Sequence, residues 1–221
     1  MFCIKPIVGI AMLGLLPPSL MAGEGKTHRF KFAKEEVGKA PTGWLVAQTH
    51  KGKGSIWKIV EDATAPSKTG LVLAQMAESP SKVFNLCVAK NTSYKDVEVR
   101  VAFKAMRGKK DQGGGIVWRY QDANNYYVAR FNPLEDNYRL YKVIGGERMQ
   151  LETKEDIKIP VGEWHHLKIK HVGDMIECYL DGKRILQHND NTIAQPGKIG
   201  LWSKADAQTY FDNFAVIEAK N

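Results

Sequence analysis

Asp96-Val97-Glu98-Val99-Arg100-Val101-Ala102-Phe103-Lys104 sets apolar residues at the odd positions and charged residues at most of the even ones. Successive side chains of a strand point to opposite faces, so this period of two describes a strand with one face in a core and one in water. Leu167 and Ile169 repeat the pattern against His166, Lys168 and Lys170, and Ile176, Cys178 and Leu180 against Glu177 and Tyr179. Further strand-like runs cover 29–33, 55–60, 70–76, 83–89, 115–120, 126–131, 138–144, 199–203 and 209–217. Turn chemistry separates them at short intervals. Gly145-Gly146, Gly173-Asp174 and Pro196-Gly197 break the pattern, and Asp181-Gly182 is a two-residue hairpin signal because both positions tolerate positive φ. No long amphipathic helix is visible; residues 34–39 or 189–195 suffice for a single turn. Many short strands at about ten-residue spacing predict an antiparallel sandwich or barrel.

The chain has 221 residues, 43% apolar and 25% charged, which excludes a disordered tail, a fibre and a polytopic membrane protein. Residues 1–22 carry one charge, Lys5, then the apolar run Ile7 to Leu16, broken by Pro17-Pro18. That run suits a secretory leader and is too short to span a bilayer. With no linker or internal repeat downstream, one domain is expected over 23–221, exported to the periplasm or medium. It is expected to be a monomer without a membrane span. Losing Lys5 leaves a net charge of +7 from the formal +8. The basic residues are spread along the chain, which argues against a nucleic-acid partner. Cys87 and Cys178 lie in apolar strand-like runs without a CxxC neighbour, as buried free thiols or as a structural bridge.

Sequence-local catalytic motifs are missing: no HExxH, G-x-S-x-G or P-loop occurs, and nothing helical follows Gly113-Gly114-Gly115. His165 and His171 share a strand face but lie about 20 Å apart, so local spacing gives no histidine metal cluster. The segment from Gln112 to Tyr141 stands out instead. Three successive strands carry Arg119, Arg130 and Arg139, each with aromatic neighbours such as Trp118, Tyr126 and Tyr127. Arginines within a sheet must pair or face a wet groove. Aromatic rings beside guanidinium and amide groups suit a sugar, with its apolar faces and hydroxyl rim. The rings are otherwise core, with the arginines paired to Asp122, Glu135 and Asp136.

From Gly114 to Arg130, and on through Leu140-Tyr141-Lys142, Gly162-Glu163-Trp164-His165, Tyr179-Leu180-Asp181-Gly182-Lys183, Gly197-Lys198-Ile199-Gly200-Leu201-Trp202 and Phe211-Asp212-Asn213-Phe214, the order of motifs resembles the concanavalin A-like lectin/glucanase superfamily. Within it the chain is similar to bacterial laminin-G-like domains and the 3-keto-disaccharide hydrolase domains, over 80–218 and more loosely over 28–80. The resemblance implies an all-β jelly-roll sandwich of two antiparallel sheets, one concave, with glycan binding or glycosidase activity in the concave face. The E-x-D-x-E strand of the superfamily's family 16 glycoside hydrolases is missing, since Glu152-Thr153-Lys154-Glu155-Asp156 has another spacing. Gln112-Gly113-Gly114 stands where Asn-Ser-Gly is common. Some laminin-G-like domains bind calcium, for which Asp122, Asn125 and Asp212 are the oxygen donors; otherwise no metal or cofactor is expected.

Three readings follow: a carbohydrate-binding, lectin-like domain taking a glycan or oligosaccharide; a glycoside hydrolase of the keto-disaccharide type; or a structural, protein-binding envelope domain. The expected ligand-binding residues are Trp118, Arg119, Tyr126, Arg130, Arg139 and Trp202. The acid/base candidates are Glu135, Asp122 and Asp212. Trp118 and Arg119 have opposite parity, so both face the groove only if a bulge intervenes.

Overall fold

The eleven residues of β6, Val97–Arg107, bury every odd-numbered position from Val97 to Ala105, as the alternation requires. The computed structural model describes residues 26–219, so the leader at 1–22 lies outside the described residues. Fifteen strands run in this order: β1 (Thr27–Arg29), β2 (Trp44–Thr49), β3 (Trp57–Glu61), β4 (Leu71–Gln75), β5 (Phe84–Ala89), β6, β7 (Gly114–Asp122), β8 (Asn125–Asn132), β9 (Asn137–Ile144), β10 (Glu147–Lys154), β11 (His165–Val172), β12 (Met175–Leu180), β13 (Lys183–Asn189), β14 (Lys198–Lys204) and β15 (Gln208–Glu218). One 3₁₀ turn, Lys34–Glu36, falls in the first of the two places expected, and 189–195 forms no helix. No helix among the described residues is long and apolar enough to cross a membrane.

The strands form two antiparallel sheets. The back sheet runs β13-β12-β11-β6-β15-β4-β3, with β1 also pairing β15. The front sheet runs β10-β9-β8-β7-β14-β5-β2. Inward positions of both build one core. Trp57 meets Phe211, Phe103 meets Phe131, and Phe30, Trp44 and Phe214 form an aromatic cluster between the sheets. Cys87 and Cys178 belong to this core as free thiols, and burial raises the pKa of both. The turns follow the local chemistry. Gly145 and Gly146 both take positive φ, as do Asp181 and Gly182, which is the backbone that matches the twist of a two-residue hairpin.

The front sheet is strongly curved. In a flat sheet β10 and β5 would lie roughly 24 Å apart, five strand spacings. Yet the Arg148 guanidinium of β10 sits 5.0 Å from the ring centroid of Phe84 in β5. From the other edge, Thr49 donates to Ala123 O at 2.6 Å and lies 2.8 Å from Tyr126 Oη. The concave face therefore closes on a second apolar cluster, which includes Phe84, Leu86, Val117, Tyr126, Val128, Tyr141 and Trp202.

A polar knot ties the two sheets at one end. Trp118 donates its indole N–H to His171 Nδ1 at 2.9 Å, and the His171 ring is fully buried. Burial and the Arg119 charge push the His171 pKa down to about 4. The unfolded chain takes up that proton near the ordinary value of about 6.5, so between pH 6.5 and 4 the unfolded state holds more protons. Stability is expected to fall by about 3 kcal/mol as pH drops through that window. Denaturant titrations at pH 7 and pH 4, compared with His171→Gln, check it: the variant should lose most of that slope.

Candidate functional site

Cross-strand register sets Arg139, Arg130, Gly115, Trp202 and Leu86 in one row across the concave face. Gly115 interrupts the row because no side chain fits there. A Cβ would lie 2.8 Å from Arg130 Cβ and closer still to the Ala129 carbonyl. The backbone of β8 thus comes close and takes the space that a side chain would fill. The next row toward the strand ends is polar, with Asn137 and Asn132 paired and Lys204 opposite Phe84.

Asp111 enters this end from the segment just before β7. Its Oδ1 accepts the Gly113 N–H at 2.7 Å and the Asn132 amide at 3.2 Å. Its Oδ2 faces the Lys204 ammonium at 3.3 Å without an aligned hydrogen bond. Arg130 donates to Asn137 Oδ1 at 2.5 Å and to Glu135 Oε2 at 2.7 Å. Arg139 reaches the same Glu135 oxygen at 3.4 Å. Arg130 and Arg148 lie over the Tyr141 ring, 5.9 and 4.3 Å from its centroid, which links the polar end to the apolar floor.

Three buried N–H groups of this face, Arg130 Nε, Arg148 Nη1 and Trp202 Nε1, have no aligned acceptor, and Asp111 Oδ2 has the Lys204 ammonium beside it but no aligned donor. A buried donor or acceptor left unpaired costs about 1–3 kcal/mol. Three N–H donors and one carboxylate oxygen thus stand together on one concave face, with Arg130, Trp202 and Asp111 themselves buried. The two carboxyls are held apart in acidity. Burial raises Asp111 above the usual carboxylate range, against the opposing charge of Arg130. Burial acts the same way on Glu135, but the Arg130 charge and hydrogen bond outweigh it and hold Glu135 below that range. Two titratable groups pushed in opposite directions are the pattern by which one site holds both an acid and a base.

Of the residues expected from sequence, Arg130, Arg139, Tyr126, Trp202 and Glu135 come together on this face. Trp118 and Arg119 do not. Trp118 faces the sandwich interior with no exposure, stacked on Tyr127 at 5.6 Å. A bulge is present, but it falls after Trp118, where the pairing of β7 shifts register and Arg119 takes φ 44°. It turns Arg119 into the polar knot, not the groove. Asp122 lies in the β7–β8 turn, accepting from Asn124 N and from the Asn125 amide. Asp212 lies in the back sheet, holding Ser67 N at 2.7 Å. Neither joins Glu135, and the three residues expected as calcium donors form no common ligand set. Among the described residues no group of three His, Cys, Asp or Glu is placed to hold a metal. Asp111, Lys204, Asn132, Asn137 and Arg148 were missed. Asp111 had one local signal, a carboxylate two residues before a glycine run; Lys204 and Arg148 reach the site only through register and curvature.

The fold matches solved structures at low identity. The carbohydrate binding module CBM66 from Bacillus subtilis aligns at 21% identity with a TM-score of 0.61, covering 80% of this chain and 96% of that one. A Bacillus subtilis protein of unknown function with a galectin-like fold aligns at 14% and 0.62, covering 89% and 97%. A Bacillus licheniformis beta-glucanase aligns at 14% and 0.54, covering 90% and 100%. No curated protein sequence matches the chain. A family model described as a 3-keto-alpha-glucoside-1,2-lyase-like domain matches residues 36–217.

Proposed function

The chain belongs to the 3-keto-alpha-glucoside-1,2-lyase-like domain family, and from that premise we propose that it is an exported domain that takes an oligosaccharide at the polar end of its concave face. The observation that carries this reading is the set of buried polar atoms without an aligned hydrogen-bond partner on Arg130, Arg148, Trp202 and Asp111. Sugar hydroxyls pair with both donors and acceptors. Arg139, with side-chain exposure of 27%, forms the outer rim. The carbohydrate binding module and the glucanase among the structural neighbours agree with a saccharide ligand.

A second reading, cleavage of the bound sugar, is favoured by the opposed acidities of Asp111 and Glu135. In a glucoside with a ketone at C3 the C2 proton is acidified. Removing it while the C1 oxygen leaves as an alcohol breaks the glycosidic bond by elimination. That step needs one group to take the C2 proton and one to protonate the leaving oxygen. Glu135, which the Arg130 charge holds toward its ionised form, would take the C2 proton, and Asp111, which burial holds toward its protonated form, would protonate the leaving oxygen, while Arg130 orients the sugar.

Thermal unfolding with gluco-oligosaccharides, native and oxidised at C3, tests the binding reading. A ligand at 100 times its Kd should stabilise the wild type by about 2.7 kcal/mol, a shift of a few degrees at this size. Arg130→Met should abolish that shift, and Trp202→Phe, which keeps the packing and removes the N–H, should reduce it. Undiminished shifts in both variants would refute this site.

A further inference from the structure

We propose that the outer face of the back sheet carries a second, independent binding site, a groove for an acidic polysaccharide. The groove has a volume of about 430 Å³ and lies on the far side of the sandwich from the concave face. Its floor is shallow because two small residues, Ala102 and Ala215, stand where neighbouring positions carry long side chains, and both are buried. The ionisable side chains that line it are Arg29, Arg100, His166 and Lys168, all basic.

Register shows that these charges are aligned. Arg184, Tyr179, Lys168, Arg100, Ala215 and Arg29 follow one another across six adjacent strands. Five strand spacings make a strip roughly 24 Å long. Lys168 sits 3.8 Å from the centroid of the Tyr179 ring, which adds an aromatic face to the strip. The nearest carboxylate, Glu98, is shared between Arg100 and Lys168, and its side chain is only 14% exposed. Arg29 and Lys170 have no ion-pair partner among the described residues. Against the three carboxylates Glu98, Glu177 and Asp181 the face carries five lysine and arginine side chains, Arg29, Arg100, Lys168, Lys170 and Arg184, so its charge is positive with the histidines left uncounted.

A strip of spaced cations around a sunken floor matches a flexible polymer bearing one negative charge per repeat, and its long-range field draws such a polymer in. A bilayer is the poorer match, because the large apolar residues lining the groove, Leu167 and Ile217, are both buried and none stands out to enter it. The concave site differs in kind, since carboxylates form part of its lining.

The test is direct binding of polygalacturonate to the full chain at low and high salt, with neutral dextran as competitor. Polygalacturonate should bind at low ionic strength, weaken as salt screens the charges and resist dextran. The double variant Arg29→Ala/Lys168→Ala should bind about tenfold more weakly or worse, while Arg29→Lys/Lys168→Arg should retain affinity. Gluco-oligosaccharide shifts from the concave site should be the same in all of these proteins. Failure to bind polygalacturonate, or equal affinity in the alanine double variant, would overturn the proposal. So would tighter binding to phosphatidylglycerol vesicles or to duplex DNA than to polygalacturonate.

Discussion

Replacing Arg119 with alanine is expected to lower stability by about 3–5 kcal/mol, the cost of breaking a buried, fully hydrogen-bonded charge. The guanidinium has no exposure and donates to Lys95 O, Asn191 Oδ1, Ile193 O and Gly173 O, all at 2.9–3.0 Å, with the Asp96 carboxylate 3.6 Å away. These acceptors come from three separate connections, so one side chain holds the β5–β6, β11–β12 and β13–β14 segments to the end of the sandwich. Without it, the Lys95, Gly173 and Ile193 carbonyls and the Asn191 side chain lose their donor, the Ile193 carbonyl inside the core. Arg119→Lys should rescue little, because an ammonium cannot reproduce the planar fork. Equilibrium denaturation reads both variants; a loss under 1 kcal/mol for alanine would mean the knot is not what closes that end.

Turnover of a 3-keto glucoside is expected to drop by about 10²–10⁴-fold in Asp111→Asn, the range that a positioned acid or base contributes. The same change should leave stability unaltered or raised at pH 7. Burial raises the pKa of Asp111, so the folded state disfavours its ionised form, and the native protein gives up stability as pH climbs above the ordinary carboxylate value. A neutral amide removes that penalty. Lost activity with gained stability separates a functional carboxylate from a structural one. Wild-type turnover in Asp111→Asn would remove Asp111 from the chemistry. A wild type that binds the keto sugar without cleaving it would leave the domain a binding module.

The strands hardest to read in the sequence show how far local pattern reaches. β2, β10 and β13 gave no clear alternation, and all three are edge strands. β10, Glu-Arg-Met-Gln-Leu-Glu-Thr-Lys, buries none of its eight residues fully, as suits an edge that must not recruit another sheet. Central strands such as β6 and β11 alternate cleanly because one face is in the core. At the site, the alternation of β8 puts Arg130 and Tyr126 on one face, since both lie on its regular part. Alternation fails at Arg119, where a bulge breaks the period. Lys204 and Arg148 are out of reach of local spacing, because register and the curvature of the whole sheet bring them to Asp111 and Tyr141.

The proposed oligosaccharide site sets its ligand against Arg130 and Trp202 on the concave face. Its most direct test is an NMR titration of the ¹⁵N-labelled full chain with the oligosaccharide, following the arginine Nε and tryptophan indole signals. The Trp202 indole and Arg130 Nε protons, which have no partner in the free protein, should shift on saturation. The Trp118 indole proton, already bonded to His171 within the core, should stay in place. Shifts confined to Trp164, just before β11 and beside Lys104, with Trp202 and Arg130 unmoved, would rule out this site.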